Sequence, residues 1–336
     1  MKRIFLPLMA VAMLASCSED ASDMNVTGGQ PEIKLASQAL DVTTKAPFEG
    51  TIRSGNPLRA FVPASSTPGD YTMPYDGTHG YMQFADNGTT AVGFVSSTDW
   101  STPASKQYPA DENEYVYLCG LYPYDVWSAP TTTATATIDG KTDLMAAEEV
   151  KTNKKDVQTG GTPKTLQFKH LLTRLNLEIA AENQDAKDAW GNVTSLKLTK
   201  VLNNQPANQA EATLADGTAI FSGTADTPCY TDGDGAITNL ELPITSADPA
   251  KAYVLCQPVD ASTGTGHYTL AVTTTEYTDS YEIPLTLNYD QGFQGEKTST
   301  TGQAFTVTLT FKATTIQAKA EVTPWEEVGS SEGIVQ

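Results

Sequence analysis

Acidic side chains in residues 230–241 have the spacing of a calcium-binding loop. Asp232, Asp234 and Glu241 fall at positions 3, 5 and 12 of this window, and Gly235 at position 6. Calcium takes about six to eight oxygen ligands, and a glycine permits the bend that wraps them around the ion. Position 1, which is normally Asp, is Tyr230, and no helical pattern flanks the window. Two interpretations stay open, a calcium site and a hairpin rich in Gly and Asp.

The three histidines form no catalytic pattern. His79 lies in a loop, and His267 begins a strand, where we predict that it faces solvent. For His170 we predict a hydrogen bond to a neighbouring strand or loop rather than a catalytic role. The chain contains no H-E-x-x-H motif and no phosphate-binding P-loop. We therefore predict that the protein is not an enzyme and needs no cofactor.

Three of the four cysteines lie in strand-like surroundings. Cys119, Cys229 and Cys256 have Tyr, Leu or Pro beside them, which favours buried free thiols. They can form at most one internal disulfide, and their spacing does not resemble a metal site.

The N-terminus has the layout of a secretory signal. Lys2 and Arg3 precede an apolar run over residues 4–14, which ends in Leu14-Ala15-Ser16-Cys17. A helix that spans a bilayer needs roughly 20 apolar residues, so this shorter run predicts a cleaved signal over residues 1–17. The last four residues resemble the bacterial lipobox, which implies lipidation of Cys17 and attachment to the outer membrane. Several acyl chains on one cysteine suffice for stable anchoring.

The charge of the mature chain excludes nucleic acid as a partner. Removal of residues 1–17 takes away Lys2 and Arg3 and leaves 19 basic and 40 acidic residues, a net charge of −21. Such a surface repels phosphate backbones and favours solubility outside the cell.

Short runs with period-2 alternation, separated by turn residues, predict an all-β fold of antiparallel sandwich type. The run at 115–122 is the most apolar and predicts a central strand. Asp-Gly pairs at residues 76–77, 139–140 and 216–217 predict turns. Residues 143–150 and 183–190 are the two stretches with a helical pattern. Other predicted strands cover residues 33–40, 58–62, 91–95, 166–179, 195–201, 253–256, 267–272, 281–287 and 304–311.

A polar stretch at residues 151–163 predicts a domain boundary. We accordingly divide the chain into a tether with a removable strand at 18–45, an N-terminal sandwich at 46–160 and a C-terminal sandwich at 161–336.

Several motifs, in this order along the chain, resemble the fimbrillin family of Bacteroidetes, which comprises type V pilins and their accessory subunits. They are the lipobox cysteine, Thr43-Thr44-Lys45-Ala46-Pro47-Phe48, Leu121-Tyr122-Pro123-Tyr124, Asp143-Leu144-Met145-Ala146-Ala147, Leu166-Gln167-Phe168-Lys169-His170-Leu171-Leu172-Thr173-Arg174-Leu175 and Val322-Thr323-Pro324-Trp325-Glu326-Glu327-Val328-Gly329. The resemblance implies two transthyretin-like antiparallel β-sandwich domains in tandem. It also implies export as a lipoprotein, and polymerisation after a trypsin-like protease removes the N-terminal strand.

For this cleavage we predict Lys45 as the residue before the cut and Ala46 as the new N-terminus. Arg53 and Arg59 are the alternative cleavage sites. A cut after Lys45 leaves 17 basic and 35 acidic residues, a net charge of −18, and releases Cys17 with its lipid.

The C-terminal segment 318–336 is a candidate donor strand for the next subunit, because an incomplete sheet edge templates an added strand. Its apolar anchors are Val322, Trp325, Val328, Ile334 and Val335. The alternative is an edge strand that closes the second domain of the same chain.

The function predicted from these features is a structural pilin of a surface fimbria, with other fimbrial subunits and the processing protease as partners. One alternative is an anchor or tip subunit that keeps its lipid. Another is a surface glycan-binding lipoprotein that presents Trp100, Trp127, Trp190 and Trp325 or its many tyrosines as aromatic platforms.

Overall fold

The computed structural model of this chain describes residues 31–39, 52, 57–86, 90–96, 99–158, 163–231, 233, 235–244, 247–261, 265–288 and 299–322. Strands dominate these residues, so the predicted all-β fold is confirmed. Within the same residues, no helix is long and apolar enough to cross a membrane.

The strands fall into four sheets. Those of the first half are β1 (Ala36–Ala39), β2 (Leu58–Val62), β3 (Ala64–Ser65), β4 (Gly80–Phe84), β5 (Val116–Tyr122), β6 (Thr133–Thr137), β7 (Met145–Thr152) and β8 (Thr165–His170). Those of the second half are β9 (Thr173–Ala181), β10 (Val193–Val201), β11 (Gln209–Thr213), β12 (Ala219–Ser222), β13 (Thr227–Pro228), β14 (Tyr230–Thr231), β15 (Ala250–Cys256), β16 (Tyr268–Thr274), β17 (Tyr281–Leu285), β18 (Leu287–Asn288), β19 (Ala304–Phe311) and β20 (Ile316–Val322).

The first sheet has the order β1-β8-β7-β5-β2-β4, with β3 paired to β5. The apolar run at 115–122 forms β5 in its interior, as predicted. Val116 and Leu118 face one core, whereas Cys119 and Leu121 face another, because successive side chains of a strand point to opposite faces. Both faces of β5 are therefore covered.

Three strand pairs cross residue 160, the predicted boundary: β1–β8, β7–β8 and β6–β11. Strand β8 lies beside β7 in the first sheet, and β11 pairs with β6 in a three-stranded sheet of order β12-β11-β6. Small side chains of β6 and β11, such as Ala134 and Ala210, pack with Cys119 and Leu121. The division into two sandwiches at residue 160 stays a prediction.

The second half contains a sandwich of two sheets. One has the order β13-β10-β16-β17 and the other the order β14-β15-β9-β19-β20-β18. Their inner faces bury a single large cluster that includes Leu177, Leu198, Leu270 and Val307. Most neighbouring strands are antiparallel, whereas β1–β8, β9–β19 and β18–β20 are parallel.

One of the two predicted helices is confirmed. Helix α2 (Gln184–Trp190), which follows the short α1 (Lys154–Gln158), begins after Asn183, whose side chain accepts a hydrogen bond from Ala186 N–H at 2.9 Å. The helix prediction at 143–150 is wrong, because these residues lie mostly in β7. Their Ala and Glu residues favour helices locally, but pairing with β5 and β8 overrides that preference. Residues 91–95 form isolated bridges rather than a strand.

Candidate functional site: the N-terminal segment and its groove

Residues 31–39, which we call the N-terminal segment, lie along the edge of the first sheet. The part that forms β1 pairs in parallel with β8, over Ala36 to Ala39. Just before this ladder, Ala36 N–H donates to Lys164 O at 3.0 Å. The segment therefore supplies the outermost strand of the sheet on this side.

A second wall holds the segment from the other side. It is formed by residues 92–96 and 99–108, which belong to the connection from β4 to β5. Ile33 N–H donates to Lys106 O at 2.8 Å, and Leu35 and Val92 exchange backbone hydrogen bonds of 3.0 and 2.8 Å. Removal of the segment would leave backbone donors and acceptors unpaired on both walls, which is unfavourable in an apolar setting.

Alternate side chains of the segment fill a groove between these walls. They belong to Ile33, Leu35 and Ser37, each 0% exposed, and to Ala39, which is 5% exposed. Lys34 and Gln38 point to solvent. Burial of a large aliphatic side chain contributes roughly 1.5–3 kcal/mol, so Ile33 and Leu35 provide most of the stabilisation.

Strand β8 forms the first wall of the groove. Ser37 lies beside Leu166 and Ala39 beside Phe168, in the same register. The Phe168 ring also covers Gly120 of β5, where an added Cβ would lie 2.5 Å from Cζ of the ring. Its centroid is 6.2 Å from that of Phe84. Phe168 therefore packs over Gly120, close to Phe84, in the core of the first sheet.

Lys106 stabilises the second wall, a role that sequence reasoning missed. Its side chain is 5% exposed, and Nζ donates to Thr78 O at 2.6 Å and Tyr75 O at 3.2 Å. These bonds tie the wall to the 3-10 turn Tyr75–Gly77. Burial lowers the pKa of Lys106. A lone lysine between strands has no sequence pattern that could have indicated this contact.

Of the predicted processing residues, the structure describes only Arg59. Cys17, Lys45, Ala46 and Arg53 lie outside the described residues. Arg59 lies in β2, paired with Gln83 of β4, and its Nε donates to the Gln83 side chain at 2.9 Å. Since proteases cut exposed loops rather than paired strands, Arg59 is a poor site in the folded chain.

The structure describes only the beginning of the predicted donor segment. Its first residues, 318–322, belong to β20, which pairs antiparallel with β19 of the same chain. For these residues the pairing matches the alternative of a strand that closes its own domain. Trp325, Val328, Ile334 and Val335 lie outside the described residues, and only 323–336 stays a donor candidate.

Two histidines are buried. His170 Nδ1 lies 3.0 Å from Asp143 Oδ1, which confirms the predicted hydrogen bond to a neighbouring loop. The prediction that His267 faces solvent is wrong. It is 2% exposed, and its Nδ1 accepts a hydrogen bond from Leu287 N–H at 3.0 Å. Its position at a strand start suggested exposure, but the start of β18 covers it.

In the calcium-like window, Tyr230 and Ala236 form an isolated antiparallel bridge. Thr231 N–H donates to Gly235 O at 2.9 Å, and Ile237 is buried in the second-half core. The Glu241 carboxylate accepts from Lys187 Nζ at 2.7 Å, and this hydrogen bond lowers its pKa. Asp232 and Asp234 lie outside the described residues, so a calcium site there stays a prediction.

The three described cysteines are free and buried, as predicted. Burial raises the pKa of each thiol, that of Cys256 from 9.0 to about 12.

We expect a maleimide at pH 8 to label none of Cys119, Cys229 and Cys256 in the native chain and all three in urea. The exposed variant Ser222→Cys should be labelled at once. A raised thiol pKa also means that the folded state holds the proton more tightly. The stability that this tighter proton binding contributes is therefore lost as the pH rises from about 9 towards 12. Mass spectrometry checks the labelling, and rapid modification of the native wild-type chain would contradict it.

A cleft lined by tyrosines lies near the second wall. Its volume is about 490 Å³, and its lining includes Tyr75, Tyr115, Tyr117 and Glu114. The ring of Tyr115 is 39% exposed. The Lys151 ammonium lies 5.2 Å from that ring's centroid.

The tryptophans are less suited to a binding platform. Trp190 is 4% exposed, and its Nε1 donates to Lys312 O at 2.6 Å. Trp100 and Trp127 are half-buried, and Trp100 packs edge-on against Tyr124 at 4.8 Å between centroids. Trp325 lies outside the described residues.

A family model described as fimbrillin-like matches residues 44–325. The chain belongs to the fimbrillin-like family. The resemblance inferred from the motifs is thus confirmed. No curated protein matches the chain.

Solved structures of proteins from Bacteroides and Porphyromonas match this chain over most of its length. A candidate cell adhesion protein from Bacteroides uniformis is 16% identical, with a TM-score of 0.52, and the match covers 88% of this chain and 99% of that chain. A fimbrial protein from Bacteroides vulgatus is 14% identical, with a TM-score of 0.49 and coverage of 88% and 99%. The fimbrial anchor protein Mfa2 from Porphyromonas gingivalis is 13% identical, with a TM-score of 0.41 and coverage of 88% and 98%. At 16% identity, the first of these likenesses shows a shared fold.

Proposed function

We propose that the chain is a structural subunit of a cell-surface fimbria that polymerises by strand exchange. It is exported as a lipoprotein through Cys17 and reaches the outer membrane surface. A trypsin-like protease then cuts after Lys45 and releases the N-terminal segment. The C-terminal residues 323–336 of a neighbouring subunit fill the emptied groove. Family membership supports the coarser assignment, a fimbrial subunit or adhesin with a structural rather than a catalytic role.

The observation that carries this proposal is the position of the N-terminal segment. It is an edge strand with its own buried side chains and backbone partners on two walls. Its loss would open an apolar groove that another strand can fill with the same hydrogen bonds. Because groove and tail are different surfaces, the contact is heterologous and extends into a filament.

Brief treatment of the purified chain with trypsin is expected to give one early cut after Lys45, followed by ladders of multimers on unheated gels. Lys45→Arg should keep the cut, and Lys45→Ala should abolish it. The exposed Lys34 serves as control, since Lys34→Ala should leave the early cut unchanged. A cut chain that stays monomeric would contradict the proposal.

Deletion of residues 323–336 tests the donor role. The deletion spares β20, so the chain should fold, undergo the cut and fail to donate to its neighbour. N-terminal sequencing of surface protein separates stalk from anchor, because Ala46 as first residue indicates a stalk subunit and a blocked Cys17 an anchor.

The tyrosine cleft favours glycan binding as a second candidate function, since exposed aromatic rings beside polar groups suit sugar faces. On a glycan array, the chain is expected to retain a ligand that Tyr115→Ala loses by at least about tenfold. Tyr277→Ala, which changes a ring of similar exposure elsewhere, is the matched control. Equal binding by wild type, Tyr115→Ala and Tyr277→Ala would show that the cleft does not bind the glycan.

A further inference from the structure

His79 lies where the second wall meets the start of β4. The backbone oxygen of the preceding Thr78 accepts a hydrogen bond of 2.6 Å from Lys106 Nζ. The imidazole ring packs edge-on against Phe61 of β2, with 5.8 Å between the ring centroids. Its Nδ1 is buried and has no hydrogen-bond partner among the described residues. A neutral ring is therefore favoured here, because a buried charged group without a partner is far less stable than a neutral one.

The backbone keeps the imidazole close to the Lys106 ammonium. Gly80, which follows His79, lies against the Phe94 ring of the second wall so closely that an added Cβ would overlap the ring. The Lys106 ammonium lies 5.6 Å from the centroid of the same ring. His79 and Lys106 therefore stay near each other for as long as the wall is in place.

The charge around the ring is positive. Burial lowers the pKa of His79 from its ordinary value of 6.5, and the Lys106 charge lowers it further, whereas a backbone hydrogen bond at Tyr71 raises it. Other titratable groups on the packed elements are engaged elsewhere. Asp76 of the 3-10 turn acts on Lys106, and Arg59 of β2 donates to a side chain of β4. The Tyr71 hydroxyl donates to a carboxylate of β7, and the ring of Tyr81, on β4, packs against β2.

We propose that His79 is a pH-sensitive latch, which holds the N-terminal segment while its ring is neutral and loosens it when mild acid protonates the ring. This inference rests on the proposed function, because it names a condition that opens the same groove. A protonated ring places a second positive charge beside Lys106 and a buried N–H without an acceptor. Both costs disappear when the ring turns to solvent or when Lys106 releases the carbonyls of Thr78 and Tyr75.

Either movement reaches the N-terminal segment through the backbone of the second wall. The oxygen of Lys106 accepts from Ile33 N–H at 2.8 Å, and Tyr108 N–H donates to the oxygen of Pro31 at 3.0 Å. A displaced wall loses these bonds, whereas the ladder between β1 and β8 is left in place. The segment is thus expected to open first at its N-terminal half.

The sign of the pH dependence follows from proton binding. A lowered pKa means that the closed state binds the proton more weakly than the open state does. Docking is therefore strongest above about pH 6.5 and weakens as the pH falls below that value. Between pH 7.5 and 5.5 the open fraction should rise about threefold to tenfold, and tenfold corresponds to a ring that titrates only in the open state.

Hydrogen exchange of the uncut chain tests the latch. After correction for the intrinsic effect of pH on exchange, the protection of the Ile33 amide should fall about threefold to tenfold from pH 7.5 to 5.5. The amides of β16, in the other half of the chain, should keep their protection. His79→Gln should abolish the pH dependence at Ile33. Equal losses in wild type and His79→Gln, or no loss in either, would overturn the proposal.

A titration of the His79 ring by NMR gives an answer that needs no His79 variant. The wild-type ring should titrate below pH 6.5, and Lys106→Met, which keeps the aliphatic stem but removes the charge, should raise its pKa. A wild-type ring that titrates at or above pH 6.5 would contradict the latch.

Neither measurement requires a cut or a neighbouring subunit. If both succeed while trypsin-treated chains stay monomeric at pH 7.5 and at pH 5.5, the proposed function fails and the latch stands.

Discussion

Replacement of Phe168 with alanine is expected to lower the free energy of unfolding by about 3–5 kcal/mol. Phe168 is 0% exposed and joins the groove to the core of the first sheet. Its ring fills the space over Gly120 and lies beside Ala39, so its loss leaves a cavity that the rigid sheet can close only in part. Urea unfolding followed by tryptophan fluorescence measures the change.

The neighbouring residue of β8 provides the control. Gln167 points to solvent on the opposite face of the same strand, and Gln167→Ala should change stability by no more than about 0.5 kcal/mol. A Phe168→Ala chain as stable as wild type would show that this ring does not shape the groove.

Leu35→Asp is expected to release the N-terminal segment while the rest of the chain stays folded. Leu35 is 0% exposed, and an unpaired carboxylate in its place costs several kcal/mol. Since 1.4 kcal/mol corresponds to a factor of ten, the undocked fraction should rise at least about 100-fold. Hydrogen exchange of residues 33–39 and of β8 reports the release directly.

Under the proposed function, this variant should also form multimers without a protease, because the groove is open from the start. Lys34→Asp introduces the same charge one residue away, where the side chain is exposed, and should behave like wild type. If Leu35→Asp keeps both its exchange protection and its monomeric state, the segment is not a removable part of the sheet.

The strands themselves were largely predictable. Residues 195–201 and 304–311 alternate between apolar and polar side chains, and the structure has β10 and β19 at those positions. Alternation is a local property, because successive side chains of any strand point to opposite faces. The apolar neighbours of the three cysteines indicated their burial, which packing against other strands completes.

The groove was predictable only in outline. The sequence indicated a strand at 33–40 that could be removed, but it contained no sign that β8 forms one wall and residues 92–96 and 99–108 the other. Both partners lie more than fifty residues away from the segment, and no spacing rule links positions so far apart. The contacts of Lys106 are a consequence of that pairing.

The sequence by itself determined an all-β chain, because the alternation that indicates strands depends on neighbouring residues alone. Only the tertiary structure decided that residues 145–152 form a strand rather than a helix, that β8 and β11 pair across the predicted boundary, and that His267 is buried. In each case, contacts between distant strands outweigh a local preference worth less than about 1 kcal/mol per residue.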